Sequence, residues 1–156
     1  MELARNLKSE SVCRLHPTPP WSVRPEQSVA EAVALMRQQR VGCVLVCRGD
    51  GRLAGLFTER DLMRRVLAVG LPLAVPVGTC MTRAPVTVSP REPIAAAVRR
   101  MEEGGYRHLP VVDPEGRPLG VLSVKRIVHY LAEHFPTTVY NLPPDPNVVP
   151  LAPEGA

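Results

Sequence analysis

At 156 residues, 45% of them apolar and 22% charged, the chain can build a packed core, which excludes disorder as the default reading. The net charge is only +4 and acids interrupt every basic run, so nucleic-acid binding is not expected. The longest apolar stretch, Val41–Cys47, is far too short to span a bilayer, and no apolar run follows the first charges of MELARNLKSESV, so the reading is soluble, cytoplasmic and without a membrane role.

In chain order, residues 1–11 read as a flank with weak helical character. A first unit over 12–70 begins with an extended segment at Trp21–Val23 that ends at Pro25. Ser28 then stands as a helix N-cap with Glu31 at the capping-box position. Val29, Ala32, Val33 and Met36 follow at the i, i+3, i+4, i+7 spacing of a helical stripe. The continuous apolar run CVLVC predicts a strand covered on both faces, and the turn RGDGR leads back along LAGLF as a hairpin. A second helix is expected near 59–69, with Leu62, Met63 and Val66 facing inward. Proline and glycine mark 71–80 as a linker.

The series then starts again. An offset of 65 residues aligns Ser22–Leu62 on Thr87–Ile127 without a gap: Pro25 falls on Pro90, Met36 on Met101, Gly51-Arg52 on Gly116-Arg117, and Gly55 on Gly120. A second unit over 81–135 repeats the helical stripe as Ile94, Ala97, Val98 and Met101 and the hairpin as LPVVD and PLGVL. Its closing helix is expected over 124–135, with Ile127, Val128 and Leu131 inward. The fold class is therefore α/β (α+β): two β-α-β-β-α copies packed as a pseudo-twofold pair, since neither is large enough to bury a core alone. Residues 136–156 are proline-dense and aperiodic and read as a tail.

The end of each hairpin carries the chemistry. In GLFTERD (Gly55–Asp61), Thr58 stands where a helix begins, and Asp61 lies one turn inside. A helix start favours phosphate and a carboxylate suits paired ribose hydroxyls, but Thr58-x-x-Asp61 is equally a capping-box variant. The second copy writes GVLSVKR, with Arg126 in place of the acid, where the helix dipole disfavours a cation by roughly 0.3–1 kcal/mol. A bound anion or a nearby carboxylate would offset that cost. Cys43 and Cys47 would share one strand face as core residues, with no metal spacing around them. His16, His129 and His134 stand in no zinc spacing, and neither a nucleophile elbow nor a Walker loop is present, so no enzyme and no metal site are expected.

Met81–Met101, Gly105–Ser123 and GLFTERD, in order and in duplicate, resemble a tandem pair of CBS domains, the Bateman module, over about residues 12–135. The resemblance implies a regulatory module, and a homodimer, that binds AMP, ADP, ATP or S-adenosylmethionine in clefts between the repeats, with AMP as the first choice. It assigns ribose to Asp61 and ribose or phosphate to Thr58. Thr82 and Val86 would flank adenine, Tyr106 would cover it, and Arg107 and His108 would reach phosphates. The second cleft departs from this pattern. Ser123 keeps the hydroxyl and Trp21 takes the place of Val86, but only Lys125 and Arg126 could meet phosphate, so it is expected to be empty or differently occupied. The alternative is a ligand-free structural or dimerisation module that docks another protein.

Overall fold

The repetition in sequence returns as repetition in backbone geometry in the computed structural model, which describes residues 2–140. The first copy runs β1 (Ser22–Val23), α2 (Val29–Gln39), β2 (Cys43–Cys47), β3 (Leu53–Thr58) and a helical turn α3 (Glu59–Asp61), which continues as a π-helix over Leu62–Leu67. The second runs α4 (Ile94–Gly104), β5 (His108–Val112), β6 (Pro118–Ser123) and α5 (Val124–His134). Its leading strand is reduced to Val88, which bridges in parallel to Val111. Helix α1 (Glu2–Ser9) precedes the first copy, a short strand β4 (Thr82–Arg83) joins the two, and α6 (Pro136–Tyr140) follows the second.

The expected local signals produce the expected elements. Helix α2 opens on a complete capping box: Glu31 N donates to Ser28 Oγ at 3.1 Å, and Ser28 N donates to Glu31 Oε2 at 2.8 Å. Its Val29, Ala32 and Met36 are buried, as are Ile94, Ala97 and Met101 of α4, with Val33 and Val98 packed at the margin. Strands β2 and β3 pair antiparallel with Leu45 opposite Leu56, and β5 and β6 pair with Pro110 opposite Val121. Their turns place Gly51 at φ 83° and Gly116 at φ 81°, a region glycine enters without Cβ strain. The first hairpin belongs to a four-stranded sheet of order β1-β2-β3-β4, the second to a two-stranded one.

Strand β2 is covered on both faces, as its apolar run predicts. Val44 and Val46 enter the core of the first copy with Phe57 and Met36. Cys43 and Leu45 turn the other way, onto Leu56 and Val121, and this small cluster joins the two copies. Cys47 packs beside it, so the two cysteines do share a face.

The cores are completed by an exchange of lead-in segments. Val12 and Leu15, in a 3-10 turn before the first copy, are buried in the core of the second. Val77 and Cys80, in and just after the matching turn (Val77–Thr79) before the second copy, are buried in the core of the first. Backbone bonds fix both: Val12 N to Glu92 O at 2.9 Å and Ile94 N to Glu10 O at 2.9 Å, against Val77 N to Gln27 O at 2.7 Å and Val29 N to Val75 O at 2.9 Å. The stretch 71–80, which reads as a joining segment, thus also builds core.

Three sequence expectations change. Met63 is 64% exposed and Val128 52%, so neither faces inward. The inward stripes are Leu62 with Val66, and Ile127 with Tyr130 and Leu131, and the neighbouring position on a helix points about a quarter-turn or more away. The helix after Thr58 is α-helical for one turn only before it widens, with Ala68 N reaching Met63 O at 2.9 Å. The N-terminal flank is a regular helix whose Leu7 packs on the second core. The reading of 136–156 as a tail falls mostly on residues 141–156, outside those described.

Candidate functional site

Asp61 is the one charged residue of the described chain that is buried, at 6% exposure. Burying a carboxylate is costly unless its oxygens find donors. Here Oδ2 accepts from Thr58 N at 3.0 Å and from the Thr58 hydroxyl at 3.1 Å, while Asp61 N donates back to Thr58 Oγ1 at 3.2 Å. Thr82 reaches across from β4 and shares its hydroxyl between Oδ1 (3.1 Å) and Oδ2 (3.2 Å). Arg65, one helical turn on, lies 3.5 Å from Oδ1 and donates to Met81 O at 2.8 Å. The capping box and the cluster of hydroxyls are therefore the same object.

Glycine makes the crossing possible. A Cβ on Gly55 would lie 2.4 Å from Met81 Sδ and 2.8 Å from Thr82 O, so only glycine lets the segment carrying Thr82 lie over β3. Gly120 does the same for the other lead-in, where a Cβ would lie 2.8 Å from Thr18 O.

The second copy meets this cluster along one edge. Arg60 donates to Gly105 O at 3.3 Å, bringing the Gly105–His108 segment beside the start of α3. Tyr106 is exposed, with its ring folded over the α-carbon of Gly104. Arg107 is exposed, and its carbonyl accepts from Val124 N at 3.0 Å, as that of Gly42 accepts from Glu59 N at 3.1 Å. His108 is half-buried against Gly42, close to Glu59. Burial holds its imidazole below the ordinary range, with the Glu59 carboxylate pulling the other way and Arg107 adding to the depression. Val86 is exposed, and no hydrogen bond ties it to the Asp61 cluster. Thr58, Asp61 and Thr82 are thus in direct contact. Tyr106, Arg107 and His108 are adjacent through Arg60 and Glu59, and Val86 is exposed four residues beyond Thr82.

At the pseudo-equivalent position Ser123 Oγ accepts from Arg126 N at 3.2 Å, a cap without the return bond that an acid gives. Lys125 is exposed and Arg126 half-buried. Trp21 is also exposed, and its carbonyl accepts from Leu45 N at 2.9 Å.

Glu59, Arg60 and Arg65 stand outside the sequence-derived candidates. Arg65 carries a legible signal, the i, i+4 spacing from Asp61. Nothing in the sequence marks Glu59, which also helps burial push the Cys43 thiol up to about 12 and so keeps it from acting as a thiolate.

The profile of the family described as CBS domain matches twice, over residues 12–68 and 77–133. A CBS domain-containing protein of Arabidopsis thaliana is 35% identical over 108 residues, which are 69% of this chain and 20% of that protein, so the chain spans about a fifth of the length of that relative. A CBS domain protein of Pyrobaculum aerophilum, solved in complex with AMP, is 27% identical with a TM-score of 0.71, covering 80% of this chain and 99% of that one. The structure of CBSX2, also in complex with AMP, is 26% identical with a TM-score of 0.67, covering 79% of this chain and 96% of that one. No helix among the described residues is long and apolar enough to cross a membrane. The chain belongs to the CBS domain family, as a tandem pair of its repeats.

Proposed function

We propose that the chain is a non-enzymatic regulatory module that binds an adenine nucleotide, AMP foremost, beside Thr58 and Asp61. One observation carries this reading: a buried carboxylate at a helix start whose partners include two hydroxyls, from Thr58 and Thr82. A ribose diol offers the same two donors, so it can take over from the Thr82 hydroxyl without leaving a buried oxygen unpaired. Tyr106 supplies an exposed ring for adenine and Arg107 an exposed cation for phosphate, both beside the start of α3. The AMP complexes of the two solved relatives support the ligand class.

A nucleotide lodged there would touch both copies, and the Arg60–Gly105 bridge is the contact it would tighten or break. Binding shifts the arrangement only as far as affinity differs between the two states. Calorimetric titration of the purified protein with AMP, ADP, ATP and S-adenosylmethionine tests the reading. Saturable binding of at least one, with AMP expected to be tightest, is the predicted result, and no binding of any would overturn it.

A second reading is a ligand-free dimerisation module that docks another protein. Two observations favour it: the oxygens of Asp61 are already satisfied by the chain itself, and Met63 and Val128 expose apolar surface at pseudo-equivalent positions. Dimerisation is compatible with both readings, and the titration separates them.

A further inference from the structure

The end of β3 away from Thr58 opens onto a cavity of about 680 Å³, within the range of small-molecule sites. Its apolar lining comes from Pro25, Leu53, Ala54, Pro76, Met81 and Ala84. Backbone contacts fix this wall. Gly78 N donates to Pro25 O at 2.9 Å, and a Cβ on Gly78 would lie 3.0 Å from Pro25 Cβ, so the segment before β4 closes tightly on the segment after β1.

Three exposed charges border the apolar lining: Glu26, Arg48 and Arg83. Arg83 is held at the wall by Nη2, which donates to Gly78 O at 3.2 Å. Among the described residues no opposite charge lies within 4.0 Å of any of the three, so the acid and the two guanidiniums stand apart around one cavity. The arrangement is particular to the first copy. At the repeat offset Glu26 falls on Arg91 and Arg48 on Asp113, and the Asp113 carboxylate is spent on its own turn, accepting from Arg117 N at 2.8 Å.

These charges select among ligand classes. A simple anion would meet two guanidiniums but also the Glu26 carboxylate, and a simple cation would meet Glu26 but also two guanidiniums. A molecule with a carboxylate and an ammonium on an apolar body matches both signs. The guanidiniums donate to its carboxylate, Glu26 accepts from its ammonium, and its aliphatic part covers the lining. We propose that this cavity binds an apolar amino acid or short peptide through its opposite end charges. Binding here does not depend on a nucleotide at Asp61, and either reading can fail alone.

The test follows the amide signals of the isotopically labelled full chain during separate titrations with leucine and with leucyl-leucine. Saturable movement at residues 26, 48, 53–54 and 77–84 with at least one of them is expected, and the arm that binds tighter assigns the ligand's length. Two analogues of leucine, 4-methylpentanoate without the ammonium and 3-methylbutylamine without the carboxylate, should each bind about tenfold more weakly or worse. Glu26→Gln and Arg48→Gln should each weaken the tighter ligand by a similar factor while melting within a few degrees of wild type, because both side chains are exposed and unpaired. Arg37→Gln, which removes an exposed arginine outside the cavity, should leave binding unchanged. Movement that never saturates with either ligand, an analogue that binds as tightly as leucine, or full affinity in both Glu26→Gln and Arg48→Gln would overturn the proposal.

Discussion

Asp61 and Arg126 occupy the same place in two copies of one element, and their surroundings are opposite. The acid is enclosed by donors from its own helix and from β4, whereas the arginine faces a cavity. The sequence shows the inversion and the Thr58–Asp61 spacing, but it cannot show that Thr82, 21 residues on, closes over the carboxylate. That contact depends on where the chain crosses, which no local pattern encodes. His108 carries a pH prediction at this scale. Its folded pKa lies below the unfolded value of about 6.5, so the unfolded chain binds the proton more readily. Stability is therefore full above that value and falls as pH drops through it toward the folded pKa. Replacing His108 with Gln should flatten the melting temperature between pH 7 and 5 relative to wild type. An unaltered slope would show that the imidazole does not feel its burial.

Among elements, those with periodic signals were legible and the crossings were not. The stripe of α2 and α4, the capping box at Ser28 and the two hairpins follow from spacing and turn residues. The exchange of lead-in segments does not, because Val12 and Val77 look like any apolar residue near a proline-rich join. Met63 and Val128 fall off the inward stripes for a related reason: adjacent apolar positions on a helix cannot all face one core, and sequence alone does not say which is left out. The crossings make a direct prediction. Gly55→Ala and Gly120→Ala each place a methyl within 2.8 Å of backbone, on Thr82 O and Thr18 O. Each should cost about 1–3 kcal/mol by overpacking, read as a lowered denaturant midpoint. Neutral behaviour in both would mean that the lead-in segments do not lie on β3 and β6 as described.

At the scale of the molecule, two copies share one interface and expose matching apolar positions on their second helices, Met63 on one and Val128 on the other. If the proposed homodimer forms through this face, Met63→Glu with Val128→Glu should shift sedimentation from dimer to monomer without lowering the melting temperature. A dimer that persists would place the contact elsewhere. The wider claim is that the pair of repeats reads out a nucleotide through Asp61. Calorimetry of AMP binding to wild type and Asp61→Asn tests it most directly, since asparagine can still accept the capping-box bond from Thr58 N but loses one of the two acceptor oxygens. At least a tenfold loss of affinity, about 1.4 kcal/mol, is expected in a variant that melts within a few degrees of wild type. Equal AMP affinity in the folded variant would contradict it.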